Sequence, residues 1–307
     1  MIKDECFYLK VPGSTSNLGP GFDSIGLAID RHLYVRIEPS SEWSFHYIDF
    51  DEPFPSGKEN MIYQTIEEIE RKYGKGKESM PLAVTMRSEL PLERGLGSSA
   101  AAIVAAVEIA NYVMDLELTL EEKVQIATVF EGHADNVAAS LYGGLVIATG
   151  QEGLETISHK VKNLEMVALI PNHKLKTTDS RSVLPNIIPY EEAVEASSIA
   201  NLFVGAALQN DWKFAGKLMA HDLFHQPYRK HLVPDLEQVH KLAISHGGYG
   251  AALSGAGPTV IVFVPSGSSK YLQEALAKRF PIYQCEVLHP TSSGVEVTVG
   301  AYENQSI

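Results

Sequence analysis

The stretch "PLERGLGSSAAAIVAAVEIAN", residues 91–111, joins a glycine-rich turn to an alanine-rich helix. The first N–H groups of a helix lack backbone partners and carry the positive end of the helix dipole. Glycines in front of such a helix let an anion approach the backbone closely, so the stretch favours a phosphate-binding loop. A glycine-serine turn packed tightly in a core would have the same composition, and the loop by itself leaves both interpretations open.

Two common phosphate motifs fit this loop poorly. A P-loop requires a lysine after its last glycine, but Ser98 follows Gly97. A dinucleotide-binding turn fits better, because residues 95–100 match G-x-G-x-x-A and Asp115 lies at the spacing expected for a ribose ligand. That acidic residue should end a strand, whereas the capping-box pattern at 119–122 predicts a new helix directly after it. The remaining interpretation is another kind of nucleoside-triphosphate loop, with a serine hydroxyl on Mg²⁺.

The composition is that of an acidic globular chain. Its 307 residues suffice for two domains, and 45% of them are hydrophobic. The formal net charge of −13 disfavours nucleic acid and anionic membranes as partners, so an anion must be bound by a local cationic pocket. Cys6 and Cys285 suggest neither a metal cluster nor a disulfide framework. Since no apolar segment approaches the ~20 residues of a membrane span, we expect a cytoplasmic protein.

Strand and helix patterns alternate along both halves of the chain, which predicts a mixed fold. Residues 150–163, "GQEGLETISHKVKN", are polar and form the candidate boundary between a domain at 1–155 and a domain at 156–307. The residues "EGLETIS" within that segment are equally compatible with a hairpin. The stretch "YQCEVLHP", residues 283–290, is predicted to be the last strand.

Two polar segments offer ligands for a substrate or a metal. "STSNLGPGFDSIG", residues 14–26, is rich in turn formers and predicts a polar loop. "FEGHADNVAASLYGG", residues 130–144, offers Glu131 as an oxygen ligand for Mg²⁺ and Asp135 as the N-cap of a short helix. A zinc site is disfavoured because this segment lacks thiolates and a second histidine.

Two arginines lie in segments far apart in the sequence. "KLKTTDSRSVLP", residues 174–185, places Thr177 and Arg181 on one face if the segment is helical. "HDLFHQPYRKHLVP" contains Arg229 directly after a proline turn. A guanidinium binds a carboxylate bidentately, so two of them suit a small substrate that carries a carboxylate. Either arginine alone would be ordinary surface charge.

A second glycine turn, "LSGAGPTV" at residues 253–260, lies between two predicted strands. It predicts either a tight hairpin or a nest of backbone N–H groups for an anion.

Together, and in this order, the motifs resemble those of the GHMP kinases. The resemblance runs through "VPGSTSNLGPGFDSIGLAID", "PLERGLGSSAA", "EGHADNVAASLYGG" and "LSGAGPTV". The glycine loop is common to that family, whereas N-L-G-P-G-F-D, H-A-D-N, "TTDSRSVLP" and "QPYR" are similar to its homoserine kinase branch. The resemblance implies an α+β fold with two domains and an active site between them. The N-terminal domain would bind nucleotide with an α+β architecture that contains a left-handed βαβ unit, and the C-terminal domain would be ferredoxin-like.

The resemblance also implies a reaction. ATP, with Mg²⁺, would phosphorylate the hydroxyl of L-homoserine to O-phospho-L-homoserine in threonine biosynthesis. Phosphoryl transfer depends on alignment and charge neutralisation, so we expect direct in-line attack without a strong general base. A homodimer is compatible with the family. The alternatives are another GHMP kinase, such as a mevalonate-type kinase, and more distantly a dinucleotide-dependent oxidoreductase or a non-catalytic sensor.

Each candidate residue receives a role from the resemblance. The ATP phosphates would contact Pro91, Leu92, Glu93, Arg94, Gly95, Leu96, Gly97, Ser98, Ser99, Ala100 and Ala101. The metal would be held by Ser98 or Ser99 together with Glu131. The substrate would be bound by Asn17, Asp23, His133, Asn136, Thr177, Arg181, Arg229, Gly255 and Gly257. Among these, Asn17, Asp23, Arg181 and Arg229 are the predicted catalytic residues, with Asp23 as an anchor for the amino group rather than a base.

Overall fold

The structure is a computed structural model that describes residues 6–49, 54–150 and 155–300. Its larger sheet has the strand order β11-β1-β2-β4-β3, and β5 and β6 extend it from β2. The strands are β1 (Phe7–Asn17), β2 (Gly21–Pro39), β3 (Ser44–Tyr47), β4 (Leu82–Ser88), β5 (Leu145–Ala148), β6 (Thr156–His159) and β11 (Glu296–Val299). Strand β3 runs parallel to β4, and the other pairs are antiparallel.

Four helices pack with this sheet: α1 (Met61–Tyr73), α2 (Ser98–Val113), α3 (Leu120–Glu131) and α4 (Asp135–Tyr142). Helix α2 is the central one, because most of its side chains are buried and its alanines allow close contact with α1, α3 and α4. The capping box predicted at 119–122 is confirmed: Thr119 accepts from the backbone of Glu122, whose carboxylate accepts from the N–H of Thr119. A new helix therefore follows Asp115, which contradicts the dinucleotide-binding interpretation of the loop.

The smaller sheet has the order β10-β7-β9-β8 with antiparallel pairs throughout. Its strands are β7 (Leu164–Pro171), β8 (Gly250–Leu253), β9 (Val260–Pro265) and β10 (Tyr283–Leu288). Its helices are α5 (Thr177–Ser182), α6 (Tyr190–Leu208), α7 (Trp212–Met219), α8 (Gln226–Arg229), α9 (Leu236–Ser245) and α10 (Ser269–Arg279). Helices separate β7 from β8 and β9 from β10, which is the ferredoxin-like β-α-β-β-α-β pattern that the resemblance implied. Among the described helices, none combines the length and apolar character that a membrane span requires.

Two strands beyond residue 155 belong to the larger sheet. Strand β6 pairs antiparallel with β5, which fits the hairpin interpretation of "EGLETIS" for residues 155–158. Residues 151–154 lie outside the described residues. Strand β11 pairs with β1, so the prediction that residues 283–290 form the last strand is wrong. The short β11 has four exposed residues, which give little hydrophobic pattern to recognise. The division of the chain at residue 155 stays a prediction.

The predicted loop at 14–26 is also wrong in part. Strands β1 and β2 occupy most of it, and only residues 18–20 form the turn between them. Asn17, Leu18 and Gly19 all adopt left-handed backbone angles, which reverse the chain within this short distance. The polar side chains of the segment are largely buried because they find hydrogen-bond partners in distant parts of the chain.

Candidate active site

A cavity lies where the glycine loop, α3–α4, α5 and α8 meet. It gathers predicted site residues from both halves of the chain: Asn17, Asp23, Pro91, Glu93, Arg94, Gly95, Gly97, Ser98, Ser99, Glu131, His133, Asn136, Thr177, Arg181, Arg229, Gly255 and Gly257. Four predicted loop residues do not line it: Leu92, Leu96, Ala100 and Ala101. The last three are buried in the core, where they pack the loop and α2 against the sheet.

The glycine loop forms one end of the cavity. Gly95 and Gly97 have φ angles of 78° and 73°, which favour glycine. A Cβ at Gly97 would lie 2.3 Å from the Ser14 hydroxyl, and one at Gly95 would lie 2.2 Å from the Ser254 carbonyl. No described side chain caps the start of α2, so its first N–H groups stay available to an anion.

A hydroxyl and a carboxylate meet beside the start of α2. Ser99 donates from its hydroxyl to Glu131 across 3.1 Å, and Ser98 also faces the cavity. Burial raises the pKa of Glu131, although the nearby His133 charge and the Ser99 hydrogen bond act in the opposite direction. Oxygen donors of this kind suit a hard cation that retains several waters, such as Mg²⁺.

A second polar cluster lies at the start of α4. His133 Nδ1 is 2.6 Å from Asp135 Oδ1, which also accepts from the Asn136 N–H. The prediction that Asp135 is the N-cap is wrong, because Ala134 is the N-cap and Asp135 is the first helical residue. Its carboxylate instead supports His133: burial would lower the pKa of His133, but the hydrogen bond and charge of Asp135, with Glu131 and Asp23, raise it to about 8.

Asp23, His133 and Asp135 also place one ligand atom each within 4.8 Å of one another, a spacing that would suit a metal ion. Two of these groups already face positive partners, since Asp135 contacts His133 and Asp23 contacts Arg181. A cation there would compete with both partners.

Asn136 and Asn17 are engaged with the protein. Asn136 accepts from the Ser14 hydroxyl at 2.9 Å and donates to Ser16 at 2.9 Å. Asn17 donates to the Gly255 carbonyl at 2.8 Å and accepts from the Asp23 N–H at 3.0 Å. Each amide therefore links separate segments of the cavity wall, and Asn17 in particular joins the Asp23 turn to the second glycine turn.

Asp23 and Arg181, which both line the cavity, form a bidentate ion pair. The Arg181 guanidinium donates to Asp23 Oδ1 at 2.6 Å and to Oδ2 at 3.0 Å. About a third of each side chain is exposed, 34% for Asp23 and 37% for Arg181. Segment 177–182 is helical, which was the condition for Thr177 and Arg181 to share one face, and both residues line the cavity.

Arg229 lies deeper, with a side chain that is almost fully buried. Its Nε donates to the Ser180 carbonyl at 3.0 Å, and its Nη1 approaches His225 Nδ1 at 3.1 Å and the Gly255 carbonyl at 3.3 Å. No hydrogen bond joins its Nη2 to a described residue, and the side chain lines the cavity. Burial, and secondarily the charge of Arg181, lower the pKa of Arg229 to about 10, so it remains a cation at neutral pH.

The sequence analysis missed several residues of the site. Ser16 and Phe22 line the cavity, and Phe22 lies 5.6 Å from the Arg181 guanidinium and 5.4 Å from that of Arg229. His225 contacts Arg229 from behind. Its spacing of one helical turn before Arg229 was the available signal, whereas nothing local distinguishes Phe22 from a core aromatic residue.

The chain is similar to known proteins in sequence and in fold. The model of the GHMP kinases N terminal domain matches residues 60–144, and that of the GHMP kinases C terminal matches residues 203–282. A homoserine kinase of Bacillus licheniformis is 45% identical over 296 residues, which cover 96% of each chain. A homoserine kinase of Bacillus velezensis is 46% identical over 92% of this chain and 90% of its own. The crystal structure of homoserine kinase from Cytophaga hutchinsonii has a TM-score of 0.84 at 26% identity, and the match covers 97% and 98% of the two chains.

Proposed function

The chain belongs to the homoserine kinases of the GHMP kinase family, and we propose that its cavity aligns ATP and L-homoserine for direct in-line phosphoryl transfer. The products are ADP and O-phospho-L-homoserine. The observation that carries this proposal is the pairing of opposite charges in the wall of the cavity. Asp23 supplies a carboxylate there, and Arg181 and Arg229 supply two guanidinium groups.

An amino acid is the complement of this arrangement. Its ammonium group suits Asp23, and its carboxylate suits the planar guanidinium groups of Arg181 and Arg229. Asp23 and Arg181 form an ion pair with each other. A zwitterionic substrate can replace that internal pair with two contacts of its own, so neither charge is left unpaired after exchange. A neutral sugar would have to break the pair without such compensation.

The glycine loop is suited to the triphosphate. Its left-handed glycines and the uncapped start of α2 present backbone N–H groups to the cavity. Ser98 or Ser99, with Glu131, would hold Mg²⁺ through oxygen atoms. When bound, that ion would neutralise charge on the phosphates. A bound cation would also favour the ionised carboxylate of Glu131, whose pKa is raised by burial in its absence.

Three of the carboxylates that line the cavity already have partners within the protein. Among the described residues, the carboxylate of Asp23 faces Arg181, that of Asp135 faces His133, and that of Glu131 accepts from Ser99. Each has a partner that stabilises its charge. A primary alcohol can attack a loose phosphoryl transition state without prior deprotonation, so positioning and charge neutralisation are the contributions of this chain.

The proposal extends to the setting of the reaction. We place the enzyme in the cytoplasm, as a step of threonine biosynthesis, without nucleic acid or membrane partners, and as a candidate homodimer. The acidic composition, with a formal net charge of −13, supports the exclusion of polyanionic partners.

One assay tests the proposal against its rivals. ADP release would be measured with ATP and Mg²⁺ over a panel of homoserine, serine, threonine, mevalonate and galactose. We expect homoserine to be turned over with the highest kcat/KM. Turnover of mevalonate or galactose without turnover of homoserine would overturn the assignment in favour of another GHMP kinase. Binding of NADH in an absorbance titration, without any ADP release, would favour the oxidoreductase.

A further inference from the structure

The part of the cavity lined by Asp23, Arg181 and Arg229 is called the acceptor end. His225 lies behind this acceptor end and does not line the cavity. Its side chain has no exposed surface. Its Nε2 is 2.9 Å from the Gly19 carbonyl, in the turn that leads to Asp23, and its Nδ1 is 3.1 Å from Arg229 Nη1. One imidazole ring therefore connects the two segments that carry the predicted ligands for the amino and carboxylate groups.

These contacts fix the protonation of the ring. A guanidinium N–H can only donate, so Nδ1 must be the bare acceptor of the Arg229 hydrogen bond. Nε2 then carries the proton and donates to Gly19. Asp222 Oδ2 lies 3.3 Å from the same nitrogen, but it already accepts backbone N–H groups of His225 and Gln226. Burial, with the Arg229 charge added, lowers the pKa of His225, whereas the charges of Asp222 and Asp23 act against this.

The same contact determines what Arg229 can offer to a ligand. With Nε on the Ser180 carbonyl and Nη1 shared by His225 and Gly255, Nη2 is the group left to bind in the cavity. The ring of His225 also stacks on Phe22, with centroids 5.3 Å apart and planes inclined by 21°. Phe22 in turn lies against both guanidinium groups, so the ring limits their movement from a second side.

We propose that His225 is a positioning residue that holds the Arg229 guanidinium in the orientation that binds the substrate carboxylate. This inference rests on the proposed function of the cavity. It predicts that His225 contributes to homoserine binding through its bare Nδ1, without touching the substrate, and that it has little influence on ATP.

Three substitutions separate the two contacts of the ring. In His225→Asn, an amide oxygen can occupy the place of Nδ1 and still accept from Arg229, but the side chain is too short to reach Gly19. In His225→Gln, the amide nitrogen can occupy the place of Nε2 and donate to Gly19, but no acceptor remains for Arg229. His225→Phe keeps a ring for stacking and loses both hydrogen bonds.

Steady-state kinetics should rank these variants. His225→Gln and His225→Phe both lose the buried hydrogen bond to the charged Arg229. We therefore expect the KM for homoserine to rise about tenfold or more in these two variants. His225→Asn should stay within about threefold of the unaltered protein, and the KM for ATP should change less than about threefold in all three. The proposal would be overturned if His225→Asn and His225→Gln changed the KM for homoserine equally. It would also be overturned if the variants raised the KM for ATP as much as the KM for homoserine, or if His225→Phe left the KM for homoserine unchanged.

A spectroscopic measurement on the unaltered protein tests the protonation of the His225 ring that the proposal requires, even if the variants fail to fold. Two-bond ¹H–¹⁵N spectra, with the ring assigned through the backbone of residue 225, should show a proton on Nε2 and a bare Nδ1. A proton on Nδ1 would contradict the proposal. Turnover of homoserine by the unaltered protein tests the function of the cavity separately, so a failed function and a failed role for His225 give different results.

Discussion

The two ends of the cavity are built from different parts of the polypeptide. At the phosphate end, Gly95 and Gly97 have left-handed backbone angles, and their neighbours leave no room for a Cβ. At the acceptor end, Asp23, Arg181 and Arg229 present charged side chains that come from segments far apart in the sequence. Under the proposed function, backbone N–H groups would therefore bind ATP, and ionised side chains would bind homoserine.

Because of this difference, the two ends can recognise different kinds of ligand. A backbone nest binds phosphate oxygens of any nucleoside triphosphate and depends on the local conformation of one short segment. A set of opposite charges recognises a particular spacing of ammonium and carboxylate, and depends on several segments folding together. Substitutions at the acceptor end should therefore alter homoserine kinetics selectively, whereas those at the phosphate end should alter ATP and Mg²⁺ kinetics.

Removal of Arg229 should have the largest effect. Truncation of a buried, hydrogen-bonded charge commonly costs several kcal/mol, so Arg229→Ala should lower kcat/KM for homoserine by about 10²–10³-fold. The KM for ATP should change less than about threefold, as steady-state kinetics at saturating homoserine would show. Arg71→Ala, which removes an exposed arginine paired only on the surface of α1, is the control and should leave both values unchanged. A loss below about tenfold in Arg229→Ala would contradict the assigned role.

Asp23→Asn distinguishes an anchor from a base. The amide keeps the shape of Asp23 but loses the charge that faces Arg181 and the substrate ammonium group. For an anchor, the KM for homoserine should rise about 10–100-fold, while kcat falls less than about tenfold. For a general base, kcat itself should fall by about 10²–10⁴-fold and lose its pH dependence. Initial rates over a range of homoserine concentrations and pH values separate the two outcomes.

Glu131→Gln tests the metal position at the phosphate end. A neutral amide is a weaker ligand for a hard cation, so the Mg²⁺ concentration for half-maximal rate should rise about tenfold or more. The KM for homoserine should change much less. Glu121→Gln, on the exposed side of the same helix α3, is the matched control and should leave the Mg²⁺ requirement unchanged. An unaltered Mg²⁺ requirement in Glu131→Gln would place the ion elsewhere.

Gly97→Ala should have the smallest of these effects, and it tests whether the loop backbone is the phosphate ligand. Its Cβ would lie 2.3 Å from the Ser14 hydroxyl and 2.7 Å from the Ser14 nitrogen, so the loop must shift. The KM for ATP should rise about 3–10-fold, and the left-handed φ adds roughly 1–2 kcal/mol of instability.

The matched control for this substitution is Gly76→Ala. Gly76 has a φ of 81° but open space around its Cβ position. Gly76→Ala should therefore lower Tm through its backbone angle alone, and by less than Gly97→Ala, while it leaves the KM for ATP unchanged. Equal KM values for ATP in the two variants would show that the loop position is not critical.

The same contrast explains what the sequence could predict. The glycine loop, helix α2 and the Thr119 cap follow from contiguous residues, and the structure contains them as expected. The structure of residues 14–26 could not be predicted from the sequence. The polar composition of the segment indicates a loop, whereas Ser14, Ser16 and Asn17 are buried in or beside strands. Their partners, Asn136 and Gly255, lie more than a hundred residues away, and no local pattern reveals such contacts.

Side-chain roles were harder to predict than positions. The sequence motifs located Asp23 and Arg181 in the site, but their mutual ion pair emerged only from the folded chain. Asp135 was predicted as a helix cap, yet its carboxylate supports His133, a choice that depends on side-chain direction rather than on spacing. His225 was missed because its role is to hold Arg229 from behind rather than to face the cavity.

We propose that the acceptor end recognises the two opposite charges of its substrate. Homoserine can be compared with 3-amino-1-propanol, which lacks only the carboxylate, and with 4-hydroxybutanoate, which lacks only the amino group. Each deletion should lower kcat/KM by about 100-fold or more, since each leaves a charged group of the site unpaired. If either analogue is phosphorylated within about tenfold of the homoserine rate, recognition by paired charges is contradicted.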